Sequence, residues 1–152
     1  MQCPADRPLP PLGRLFVRHK DADAYRQIGN PAADVSYETP ITCEKHPIVI
    51  FNSIKWNKVS GGGNPDGVYA FNLRTQELAV CVAKDKLAIP EPHLRSWIST
   101  LVSLSDDGQT LYAKVGIEKA ATGGAVVHYY LASLDLADNK LELLCTLKDS
   151  FF

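Results

Sequence analysis

The side chains of this chain best suited to hold a ligand lie in two loop-like stretches. Trp56 stands beside Asn57 in a glycine-rich run that ends at Asp66, and His93 and Arg95 share a later stretch. An indole offers a flat apolar face, an amide both donates and accepts, and arginine and aspartate bring charges of opposite sign. Together they describe a shallow polar ligand site rather than a centre that breaks bonds. The same residues also fit solvated loops in which Trp56 packs beneath its own backbone. Spacing leaves both readings open.

Reactive and metal-binding patterns are not found around them. Histidines stand at 19, 46, 93 and 128 without HxH or HExxH spacing, so no metal is expected. No GxSxG elbow occurs, and no serine has a legible base partner. Gly61-Gly62-Gly63 invites a phosphate cradle, but that loop needs a strand before it, a helix after it and a lysine at fixed spacing. Asn64-Pro65-Asp66-Gly67 supplies none of these. Asp106-Asp107-Gly108 lacks the acidic ladder and closing glutamate of a calcium loop, so it reads as a turn. Cys3, Cys43, Cys81 and Cys145 form no CxxC. Cys81 and Cys145 sit in the apolar runs AVCVA and ELLCTL, which reads as buried free thiols in a reducing compartment. No cofactor is expected.

Composition narrows the class. Of 152 residues, 45% are hydrophobic and 22% charged, the balance of a folded globular chain. Sixteen basic and 17 acidic residues spread along the chain, without the concentrated positive surface that nucleic acid requires. No apolar run approaches the length of a bilayer span or of a secretory signal, so neither a membrane nor export is expected. Cytoplasmic is the default.

The elements that must position Trp56 and its neighbours repeat. Residues 35–84 overlay 98–147 at a constant offset of 63 without a gap, so that Ser36 meets Ser99, Ile54 meets Ile117 and Leu78 meets Leu141. A fixed period with tolerant identity is how stacked, repeated sheets appear in sequence. In the first unit VSYETPIT (35–42) is a strand whose Pro40 marks an edge or bulge. PIVIFNSI (47–54) is apolar on both faces, as in a strand between two layers. A long loop is expected over 55–66, where glycines and a proline bar regular structure. A hairpin follows, with strands at 67–73 and 78–83. The second unit restates this order, with a turn at 106–109 and a loop at 118–127. Residues 131–147 carry strong helix formers, but leucines alternate on each side of a polar break, which favours a hairpin. Ahead of both units come an extended leader (1–13) and a short hairpin (14–29), the latter resembling the last two strands of an earlier unit. The expected fold is all-β: two four-stranded antiparallel meanders, 35–84 and 98–148, plus an N-terminal hairpin, within one domain at 14–152.

Two stretches carry a resemblance. Ser105-Asp106-Asp107-Gly108-Gln109-Thr110-Leu111 resembles the Ser-Pro-Asp-Gly-Lys-Thr-Leu turn of the WD40-like, TolB-type β-propeller repeat. Tyr130-Leu131-Ala132-Ser133-Leu134-Asp135-Leu136 resembles that family's outer strand, as does Val68-Tyr69-Ala70-Phe71-Asn72-Leu73 with Asn72 in the aspartate's place. Asp106 replaces the proline, residues 43–46 replace the Asp-Gly turn in the first unit, and the period exceeds an ordinary blade. A closed propeller takes about four to eight blades. This chain has two and part of a third. The resemblance implies a non-catalytic binding or assembly module. Its partner would be a protein or peptide on the rim loops, or sister copies completing a ring. The rim would gather Trp56, Asn57, Asp66, His93 and Arg95, with Lys55, Lys58 and Lys119 nearby. The alternative is a hydrolase or lyase site on the rim, or an accessory propeller piece of a peptidase.

Overall fold

The computed structural model describes residues 12–18, 20–83, 87–89 and 91–148. Most of the expected leader, together with Cys3 and His19, lies outside them. The described residues contain no helix, and so none long and apolar enough to cross a membrane. Among the described residues ten strands form: β1 (Phe16–Val17), β2 (Arg26–Gln27), β3 (Val35–Thr42), β4 (Ile48–Trp56), β5 (Gly63–Asn72), β6 (Leu78–Ala83), β7 (Arg95–Leu104), β8 (Thr110–Ala121), β9 (Gly124–Asp135) and β10 (Leu141–Leu147). They make an N-terminal hairpin, β1-β2, and two antiparallel meanders, β3-β4-β5-β6 (sheet 1) and β7-β8-β9-β10 (sheet 2). The helix formers of 131–147 lie in β9, a turn and β10, because cross-strand burial outweighs propensity there.

Sheet 1 is the central layer. On β4, Ile48 and Ile50 point to sheet 2, where they join Ile98, Leu101, Leu111, Val115, Ile117 and Leu134 in one core. Val49 and Phe51 point the other way, into a second core with Tyr37, Phe71 and Ile28 that Leu15 and Val17 of the hairpin segment close. Ile50 and Phe51 are both fully buried. Burying a side chain of this size contributes about 1.5–3 kcal/mol. β7 is the strand of sheet 2 that lies against β3, β4 and β5.

The repeat is physical. Asn72 and Asp135, 63 apart, each cap a turn by accepting backbone N–H groups: Arg74 and Thr75 donate to Asn72, and Ala137 to Asp135. Gln76 and Asn139 take the same left-handed corner, φ 64° and 58°. The turn at 105–110 is held by Ser105 Oγ, which donates to Asp107 (2.5 Å) and accepts from Thr110 N, while Gly108 supplies φ 72°. Its counterpart at 43–46 packs directly beside it. Lys45 pairs with Asp106 at 2.6 Å, and the His46 ring rests on Gly108. Like turns therefore lie side by side, and the sheets run in the same sense.

Two expectations are corrected. Half of the expected loop at 55–66 and most of that at 118–127 are strand. β4 continues to Trp56 and β5 begins at Gly63, while β8 and β9 meet in a tight turn at 122–123. Gly63 is tolerated because the Trp56 ring lies across it; a Cβ there would sit 3.2 Å from the indole and 2.8 Å from Ile54. Pro65 pairs with Ile54 beyond the last described β5–β6 pair, Gly67↔Ala83. The overlay is also not strictly gapless in register. Ile54↔Pro65 and Ile117↔His128 agree with the offset, but Ile48↔Asn72 corresponds to Thr110↔Asp135 and leaves Leu111 on Leu134. The difference is a β-bulge at Ser53/Ile54, with Asp66 as the extra residue. A third correction concerns Cys145. It is exposed, because β10 is an edge strand and Cys145 pairs on the uncovered side, whereas Cys81 is half-buried and its thiol pKa is raised by that burial.

Two outcomes follow from this packing. A Cβ on Gly116 would meet the Trp97 ring at 2.5 Å, so Gly116→Ala should lower stability by about 1–3 kcal/mol, read as a fall in thermal midpoint. The Ser105 hydroxyl, and after it the Gln109 amide, hold the Asp107 carboxyl below the ordinary aspartate range. A depressed folded-state pKa gives stability that is present above the unfolded value and lost as pH falls through the folded one. Asp107→Asn should therefore flatten the acid limb of a stability–pH profile below about pH 4, and leave the neutral range parallel to the parent.

Candidate ligand-binding cleft

Opposite the packed turns, the two sheets part. The gap is a cleft of about 780 Å³, within the range of small-molecule pockets. One wall is the far end of sheet 1: Asn52, Lys55 and Trp56 from β4, Asn57 and Lys58 from the turn, and 63–68 from β5. The other is the start of β7, from Arg95 to Ile98, with Asp34 and Leu87 at the margins and Val68 and Val82 at the apolar base.

Of the five residues singled out in the sequence, the cleft gathers Trp56, Asn57, Asp66 and Arg95. Lys55 and Lys58 also line it. His93 does not: its Nδ1 lies 2.8 Å from the Glu91 carbonyl, and the short stretch before β7 carries the ring off the lining. Lys119 is likewise drawn to Glu91 and over the Tyr130 ring. Trp97, Asn52, Asn64 and Ser96 line the cleft although sequence reasoning passed them over. The repeat overlay begins one residue after Trp97. The matching arrangement of two tryptophans, each on a cross-strand glycine (Trp56↔Gly63, Trp97↔Gly116), appears only once strands are paired.

The lining divides by what is already engaged. Asn57 Oδ1 accepts from Val59 N and Ser60 N and so shapes the turn at 57–62. Arg95 pairs with Glu118 and stacks 5.2 Å from the Trp97 ring. Asn52 donates to Thr39 Oγ1. By contrast, Asp34, Lys55, Lys58 and Asp66 make no ion pair and no side-chain hydrogen bond with described residues. The negative charge of Asp66 is felt by Tyr69, whose pKa is raised first by burial and then by that carboxylate. The Trp56 indole N–H is buried without an acceptor among the described residues, which costs about 1–3 kcal/mol.

The lining contains no histidine or cysteine, and the one serine, Ser96, has no hydrogen-bonded base among the described residues. No three His, Cys, Asp or Glu side chains converge as a metal site among the described residues. The lining combines charge of both signs, an aromatic plate and an apolar base. No protein-family model, curated protein or solved structure matches the chain.

Proposed function

We propose that this chain is a non-catalytic binding module built on two propeller-like blades, and that it receives a protein or peptide segment in the cleft between them. The observation that carries this reading is the cleft itself, where both sheets contribute and where two cations and two anions stand around Trp56 without an ion pair among the described residues. Lys55 and Lys58 are exposed at its mouth and Asp34 and Asp66 are half-buried, so charge of both signs is open to an entering segment. The blade reading is supported by like turns packed side by side and by the shared caps at Asn72 and Asp135.

A second reading, self-association that completes a propeller, is favoured by a different observation. The centre of sheet 1 is covered on both faces, with Leu78 and Val80 exposed only on its edge strand β6, whereas the outer face of sheet 2 leaves Tyr129 and Leu131 half-buried, with Val102 and Leu144 exposed nearby. Light scattering at high concentration separates the two. A lone monomer mass removes the second.

Selection from a display library of randomised peptides against the immobilised chain should enrich sequences that depend on the cleft. Their affinity is expected to fall at least tenfold when Lys58→Ala and Asp66→Asn are combined, with the circular dichroism unchanged. No enrichment, or binders indifferent to both changes, overturns the reading. Turnover of esters, peptides or glycosides that vanishes when Trp56, His93 and Arg95 are replaced together would put a hydrolase in its place.

A further inference from the structure

We infer that the cleft holds the guanidinium group of an arginine in the bound segment, stacked on Trp56 and paired with Asp34. This deepens the peptide-binding reading and rests on it. Sheet 2 already contains such a stack within itself. Trp97 lies over Gly116, where a Cβ would meet the ring at 2.5 Å. The Arg95 guanidinium stands 5.2 Å from the Trp97 ring centre, and its Nε donates to Glu118, the residue directly across the ladder. Tryptophan on glycine, arginine on tryptophan and carboxylate on arginine make one closed unit.

Sheet 1 repeats the first and last parts of that unit and lacks the middle one. Trp56 lies across Gly63, where a Cβ would stand 3.2 Å from the indole. Trp56 N donates to Asp34 O at 2.8 Å, which sets Asp34 opposite Trp56 across the ladder, and both line the cleft. The Asp34 carboxylate is half-buried and makes no ion pair or hydrogen bond with a described residue. No cation stands over the Trp56 ring among the described residues. A carboxylate drawn part-way out of water beside an indole favours a planar cation that carries donors only, which is the inventory of guanidinium. Lys55 and Lys58 also line the cleft, but both are exposed, where salt screens their charge. Four residues further in, roughly 13 Å along β4, Asn52 is 3% exposed. Its Nδ2 donates to Thr39 Oγ1, and its Oδ1 has no partner among the described residues. Asp34 and Asn52 are thus free acceptors at two depths, and N–H donors on the segment satisfy both.

The probes are the pentapeptide acetyl-Gly-Gly-Arg-Gly-Gly-amide and its lysine and citrulline counterparts, titrated into the full chain. The chain has two tryptophans, so its indole N–H resonances are two, and Trp56→Phe assigns them. The Trp56 resonance should shift saturably with the arginine peptide. Citrulline keeps the plane and loses the charge, lysine keeps the charge and loses the plane, and each should bind about tenfold more weakly. Asp34→Asn, with the circular dichroism unchanged, should bring the arginine peptide level with the citrulline one. No shift at millimolar peptide, a shift confined to Trp97, equal binding of the three peptides, or indifference to Asp34→Asn overturns the inference. So does binding that appears only after Lys84 and Lys86 are both changed to alanine, since the chain would then supply the cation itself. Agmatine binding more tightly than the pentapeptide would assign the site to a free guanidine and overturn it too. Library-selected peptides that need Lys58 and Asp66 but carry no arginine would sink the arginine anchor while leaving the cleft reading intact. Failure of both peptide sets would sink both.

Discussion

Everything in this fold depends on a strand that cannot face water on either side. β4 alternates Ile48 and Ile50 with Val49 and Phe51, so each face of sheet 1 is apolar at its centre. A sheet of that kind is stable only as the middle of three layers. The hairpin segment supplies one outer layer and sheet 2 the other. This explains why two very short strands, β1 and β2, persist at all: Leu15, Val17 and Ile28 close a core that would otherwise be open. Sheet 2 is made differently. Leu111, Ala113, Val115 and Ile117 are buried on one side, and Tyr112, Lys114 and Glu118 stand half-exposed on the other. Its interior needs a single cover, which sheet 1 provides.

Because apolar alternation carries most of this information, much of the layering could be read without coordinates. The bounds of β3 and β6 follow from VSYETPIT and LAVCVA, and the two-sided character of β4 follows from IVIF. The ends of the long hairpins could not be read. A glycine triplet followed by Asn-Pro-Asp resembles a loop in any local window, and what makes Gly63 a strand residue is an indole from the opposite strand. The same holds for 118–127, where alanine and glycine give no β signal and pairing is imposed by the ladder continuing from Val115 to Ala121.

The cleft was legible in part for a related reason. Loops at one end of a repeated meander fall together, so Trp56, Asp66 and Arg95 meet once the period is known. Which of them are available is a matter of hydrogen bonds. Asn57 and Arg95 carry the features of ligand contacts and are largely engaged with the chain, whereas Lys58, named only beside them, and Asp34, not singled out, make no ion pair among the described residues. Trp97 left no trace in the pattern because a single aromatic at a strand's start fits core, surface and site equally well.

The bulge at Asp66 has a consequence beyond its own position. Side chains on a strand alternate with a period of two, so one inserted residue reverses the phase of everything past it. On β5, Val68 and Ala70 share the face that Gly63 and Pro65 occupy at the tip, even numbers giving way to odd. Had the ladder run on uninterrupted from Ser53↔Gly67, Asn64 would stand opposite the indole and Pro65 opposite Lys55. The added aspartate is therefore a parity switch: it delivers a residue with no side chain to the one place where a bicyclic ring must lie flat. It leaves its own carboxylate, belonging to neither phase, beside the opening.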